Sequence, residues 1–171
     1  GQLLLTGTDL EVEMTAQLSV IDADPGETTV PARKFLDICR ALPDQANIIF
    51  TMKDGRAAIR SGKSRFVLST LPAAEFPTIE ALNDTLKFKV HQSALKDAIE
   101  RSHFAMAQQD VRYYLNGMMM EINDNGLLLV ATDGHRLALC DTGEKVESAD
   151  HQQIIIPRKG ILELSRLLDD D

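Results

Sequence analysis

Apolar and polar side chains alternate without a break from residue 10 to residue 20. Leu10, Val12, Met14, Ala16, Leu18 and Val20 fall on one side, and Glu11, Glu13 and Gln17 on the other. A period of two belongs to a strand with one buried face and predicts a half-buried β-strand over 10–20. The turn-rich DADPGE ends it. After a short strand predicted at 28–30 the period changes: apolar positions 35, 38 and 42 follow the stripe of an amphipathic helix opened by Pro31. Strands are predicted near 47–53, 56–61 and 64–70, with Asp54-Gly55 as a hairpin turn. LPAAEFPTIEALND (71–84), with two prolines, reads as a connection.

The succession then restarts. Leu86, Phe88 and Val90 alternate and predict a strand over 86–90. Ser93 is a suitable N-cap for a helix from about Ser93 to Ala107. Strands near 117–123, 127–132 and 135–141 come next, then a strand at 152–156 and a helix opened by Pro157. The order β-α-β-β-β thus occurs twice and begins a third time. The expected fold class is α+β, with helices on one face of antiparallel sheets.

The two proline-opened helices echo each other. VPARKFLDICRAL (30–42) aligned with IPRKGILELSRLL (156–168) pairs Pro31 with Pro157, Leu36 with Leu162, Asp37 with Glu163, Arg40 with Arg166 and Leu42 with Leu168, an offset of 126. LLLTGTD (3–9) matches LLLVATD (127–133) at an offset of 124. Two ordered matches at nearly one offset indicate a tandem repeat about as long as an ordinary domain.

Composition narrows the chemistry. With 44% hydrophobic residues and no long apolar run, neither a membrane span nor a signal peptide is expected. Cys39 and Cys140 lack CxxC spacing and read as packed thiols in a reducing, cytoplasmic setting. His91, His103, His135 and His151 show no ligand spacing, so no metal or other cofactor is expected. The net charge of −8 opposes nonspecific binding of nucleic acid by the chain as a whole, so any such contact requires local basic groups. Arg33, Lys34 and Arg40 on one helix and Arg158, Lys159 and Arg166 on the other supply them, while Glu11, Glu13, Asp22 and Asp24 lie on strands and turns. For either helix alone a solvated basic face is the simpler reading. Several basic helices on one side of an acidic sheet suit phosphates.

GTDLEVEM, TTVPARKFLDICRALP, SGKSRFVLSTLPAAEFP, FAMAQQDVRYYLNGM, ATDGHRLAL and IIIPRKGILELSRLL together resemble the beta-subunit, or sliding clamp, family of bacterial replicative DNA polymerases, along essentially the whole chain. The resemblance implies three similar domains per chain and a homodimeric ring, with helices inside and sheets outside, that encircles double-stranded DNA. On that basis residues 1–78 would be the C-terminal portion of a first domain, 79–84 a linker and 85–171 the N-terminal portion of a second. The rest of the ring would be absent, so this chain would not close one.

The resemblance also implies site residues. DNA would be met by Gln109, Arg112, Tyr113 and Tyr114, and by Arg33, Lys34, Arg158 and Lys159 at helix starts, where backbone N–H groups favour anions. Leu115, Thr132, Gly134, His135, Arg136 and Leu137 would line a pocket for linear motifs of the polymerase catalytic subunit, the clamp loader and repair polymerases. Lys34, Ile38, Arg65, Phe66 and Leu68 would face a partner chain. The implied role is non-catalytic. Asp133 and His135 leave a small cytosolic hydrolase as the alternative, but no nucleophile motif accompanies them, and Asp133-Gly134 is more simply a turn.

Overall fold

The computed structural model describes residues 1–78, 87–123, 126–146 and 151–169. The chain divides into two compact units, Gly1–Glu80 and Ala81–Asp171. Residues 79–84 and Leu86 lie outside the described residues.

The first unit opens with a hairpin of β1 (Gln2–Thr8) and β2 (Glu13–Ser19), Gln2 opposite Ser19 and Thr8 opposite Glu13. The single strand expected over 10–20 is therefore corrected. Its alternation runs through a turn in which Asp9 Oδ1 accepts the N–H groups of Glu11 (3.1 Å) and Val12 (3.0 Å), and Leu10 adopts φ +77. A short acid that satisfies two donors outweighs the period of two. Residues 28–30 form no strand either; Thr29 instead accepts Leu71 N–H through Oγ1 at 3.1 Å.

Helix α1 (Ala32–Ala41) starts after Pro31. Ile38 is buried against Ala57, Ile59 and Leu68, with Val30, Phe35, Leu42 and Phe66 packed around them. Ala57 and Ile59 lie on β4 (Arg56–Ser61), the middle strand between β3 (Ile49–Lys53) and β5 (Ser64–Ser69). The Phe35 and Phe50 rings meet edge to face at 6.3 Å. Strand β5 is an edge, but the side chains of Ile38, Phe66 and Leu68, expected at a partner interface, turn into this core. Lys34 and Arg65 are exposed.

The second unit has a single four-stranded antiparallel sheet in the order β8 (Leu137–Asp141), β7 (Gly126–Thr132), β6 (Gly117–Asn123), β9 (Gln152–Pro157). One face carries Met118, Met120 and Ile122 of β6 with Leu127, Leu129 and Ala131 of β7, all buried. Against it pack α2 (Gln92–Ser102), through Leu95, Ala98 and Ile99, and α3 (Arg158–Leu167), through Ile161. The alternate residues, among them Met119 and Val130, point to the other face.

Two expectations for this unit are corrected. Residues 87–90 join no strand, although Phe88 and Val90 pack on the core. The helix expected from Ser93 to Ala107 has His91 as its N-cap and stops at Ser102, followed by a 3-10 turn over His103–Ala105. Ser102 Oγ donates to the Ala98 carbonyl at 2.6 Å, and the His103 ring lies 3.2 Å from the Glu100 carbonyl, the one that a helix continuing to Phe104 would use.

Candidate functional site

The pocket and loop residues named from the sequence converge at one end of the second unit's sheet. Strand β7 ends at Thr132 because residues 132–136 fold into a turn whose polar groups satisfy one another. Thr132 Oγ1 donates to the Arg136 carbonyl at 2.7 Å and accepts Gly134 N–H at 3.1 Å. Asp133 Oδ1 accepts the N–H groups of His135 and Arg136, each at 3.0 Å, and Asp133 Oδ2 accepts Arg136 Nε at 3.0 Å. These bonds, the His135 N–H first, lower the Asp133 pKa. They delay β8 to Leu137, two residues later than the 135 expected. The Arg136 guanidinium also lies over the Phe104 ring, 5.4 Å from its centroid.

Opposite this turn, residues 108–116 form a loop closed at its neck by Ala107 N–H to the Leu115 carbonyl, 3.0 Å. Asn116 clamps Asp110 from both sides: its Oδ1 accepts Asp110 N–H at 2.9 Å and its Nδ2 donates to the Asp110 carbonyl at 2.8 Å. Asp110 in turn accepts Arg112 Nε (3.1 Å), Arg112 Nη2 (2.9 Å) and Arg112 N–H (2.8 Å). The Arg112 side chain is the main reason the Asp110 carboxyl is held down at about 2. Tyr113 and Tyr114 stand exposed on the loop, their rings edge to face at 5.9 Å.

Two depressions flank these elements. One of about 270 Å³ is lined by Tyr114, Leu115, Gly117, Met119, Val130, Thr132 and Ile155 and is almost wholly apolar. Of the expected pocket residues it contains Leu115 and Thr132. The other, about 420 Å³, is polar and is lined by residues 106–110 with Asp133, His135 and Arg136. Leu137 is exposed at the start of β8.

Gly134 does not offer the open space its residue type suggests. At φ +87 it fits the turn as few other residues would, and a Cβ there would meet Arg112 Nη2 at 3.2 Å and Nη1 at 3.3 Å. The guanidinium already occupies that side.

Of the residues expected to meet DNA, Gln109, Arg112, Tyr113 and Tyr114 share this loop. Arg158 and Lys159 begin α3, joined to the loop by Arg158 N–H to the Asn116 carbonyl at 2.9 Å. Arg33 and Lys34 begin α1 in the other unit. Neither helix has an acid in its first turn. Sequence reasoning missed Phe104, Asp110, Asn116, Met119, Val130 and Ile155. Strand alternation could have found Met119 and Val130, because it places them on the face away from the helices.

The comparisons with known proteins agree along the whole chain. Residues 1–80 match the family model of the DNA polymerase III beta subunit, N-terminal domain, and residues 89–171 that of its central domain. The chain belongs to the DNA polymerase III beta subunit family. It is 55% identical over 168 residues to the beta sliding clamp of Pseudomonas aeruginosa, covering 98% of this chain and 46% of that relative. A crystal structure of the P. aeruginosa DNA polymerase III subunit beta superposes with a TM-score of 0.95 at 54% identity, covering 99% of this chain and 46% of the other. A P. aeruginosa sliding clamp bound to griselimycin matches at a TM-score of 0.93 and 54% identity, over 99% of this chain and 47% of that one. This beta-subunit chain thus spans about half the length of the relatives it matches. The α+β fold expected from the sequence is that of sliding clamps. Nothing in the site favours the hydrolase alternative: Asp133 is engaged by the backbone of residue 135 and by Arg136, with no bond to the His135 ring among the described residues.

Proposed function

We propose that this chain supplies part of a non-enzymatic processivity factor, which holds a DNA polymerase and repair polymerases on double-stranded DNA by tethering their linear motifs. The observation that carries the reading is the apolar depression at Leu115 and Thr132, bordered by the self-bonded turn of residues 132–136. Apolar walls with a few fixed polar groups suit an extended peptide. The exposed tyrosines and the acid-free starts of α1 and α3 suit phosphate and sugar contacts that position without reading sequence. The edge strand β5, with Lys34 and Arg65 exposed beside it, would meet a partner subunit of the ring through its backbone and these charges. Residues 79–84 would link two clamp domains. No described helix is long and apolar enough to cross a membrane.

The test is a heteronuclear NMR titration with a capped pentapeptide carrying leucine and phenylalanine side chains. Shifts centred on Leu115, Thr132 and residues 134–137, reduced by Leu137→Ala, are expected. A spectrum unchanged at millimolar peptide would refute peptide binding by this chain, and turnover of an ester substrate that disappears with His135→Ala would replace the reading altogether.

A further inference from the structure

We propose that Asp110 and Asn116 are positioning residues of the peptide-binding site, holding the Arg112 guanidinium against the Gly134 turn as a prepared hydrogen-bond donor for a peptide carbonyl. The inference rests on the peptide-binding reading above and names the residues that set the rim of that site.

The connection can be followed bond by bond. Helix α3 fixes Asn116 through Arg158 N–H, and Asn116 fixes both main-chain groups of Asp110 with one side-chain amide. Gln109, at φ +58, turns the chain into that clamp. The Asp110 carboxylate then grips Arg112 at Nε and Nη2, a two-point contact that fixes the plane of the guanidinium as well as its position. The Nη1–Nη2 edge of the guanidinium meets Gly134, the one residue in the turn with no side chain to exclude it. Two of the five N–H donors of a guanidinium are taken by Asp110, which leaves about three for a ligand.

Stability alone is a poor explanation for this chain of contacts. Arg112 is 49% exposed, and an exposed ion pair between residues two apart adds little to folding. What the arrangement does is remove rotamer freedom from a long side chain against the turn that borders the apolar depression. A peptide that bonds to a loose arginine must order it first, and that ordering weakens binding by about three- to tenfold.

The experiment uses the ¹⁵N-labelled 171-residue chain and the capped pentapeptide. Without peptide, Asp110→Asn and Asn116→Ala should each displace the Gly134 and His135 amide resonances and the Arg112 Nε–H. With peptide, each should raise Kd about three- to tenfold. In an Arg112→Ala background Asp110→Asn should have no further effect on Kd, a non-additivity that general loosening of the loop would not produce. Arg112→Lys should fail to restore affinity, because an ammonium lacks the planar fork. Unmoved Gly134 and His135 resonances, or full additivity of Asp110→Asn with Arg112→Ala, would overturn the proposal. Absence of peptide binding by the unsubstituted chain would instead overturn the reading on which it rests, and the two failures are distinguished by the peptide-free spectra.

Discussion

Gly134→Ala separates backbone strain from side-chain contact at the centre of the site. Gly134 has φ +87, where a Cβ costs about 1–2 kcal/mol. The new Cβ would also lie 3.2 Å from Arg112 Nη2 and 3.3 Å from Nη1, but these are the far end of a flexible side chain that can yield by a few tenths of an ångström. Strain therefore dominates, and the substitution should cost about 1–2 kcal/mol in the second unit. With a slope of about 1–3 kcal/mol/M, the urea midpoint falls by roughly 0.3–2 M. The chain has two tyrosines and no tryptophan, and both tyrosines lie in the 108–116 loop, so tyrosine fluorescence follows the second unit selectively. In an Arg112→Ala background the cost should persist, with a coupling below about 0.5 kcal/mol. A neutral Gly134→Ala, or a coupling as large as the single effect, would refute the reasoning.

Three further outcomes are expected. Leu129→Ala, at a fully buried position on β7, should cost about 2–5 kcal/mol in chemical denaturation, whereas Val67→Ala on the exposed side of β5 should stay within about 0.5 kcal/mol. Glu121, bonded to His151, Asn123 and Gln153, and Asp110 are both held down at about 2, so each binds fewer protons folded than unfolded. The stability they contribute is present above the ordinary carboxylate range and disappears as pH falls through the folded value of about 2; Glu121→Gln should flatten the acid limb of unfolding followed by circular dichroism. DNA binding by this chain should be weak and steeply salt dependent in fluorescence anisotropy, and Arg158→Ala or Lys159→Ala should each reduce the log–log salt slope by about 0.9.

Much of the fold was legible because burial imposes a period. The strands near 56–61 and 117–123 appear over Arg56–Ser61 and Gly117–Asn123, where alternating positions face a helix on one side only. Both proline-opened helices begin where the missing N–H has no partner to lose. Two errors fall where a side chain takes a backbone group: Asp9 holds the N–H groups of Glu11 and Val12 in a turn inside an apparently unbroken alternation, and the His103 ring meets the Glu100 carbonyl where the helix was expected to continue. For the site, the residue types of 132–137 could be read from the motif, but its rim could not. Asp110 and Asn116 are six residues apart with no periodic relation, and Arg112 meets Gly134 only because the sheet brings their loops together. No local pattern carries such a contact.

The pairing of charges bears on the two kinds of ligand proposed for this acidic chain. Around the turn of residues 132–136 each arginine has its own acid close in sequence, Asp110 for Arg112 and Asp133 for Arg136, so the proposed peptide rim presents fixed donors with little net charge. A rim of that kind selects a carbonyl by direction and does not compete for phosphate. At the starts of α1 and α3 basic residues stand with no acid in the first turn, and backbone N–H groups add to the positive field. The electrostatic part of DNA binding should therefore reside at the helix starts, with the exposed Tyr113 and Tyr114 contributing stacking or hydrogen bonds that salt affects far less. It follows that Arg112→Ala should change the salt slope by well under the value for Arg158→Ala while weakening peptide binding. A full-sized loss of slope on removing Arg112 would mean that Asp110 releases it to phosphate, and that pairing with an acid does not reserve it for peptide.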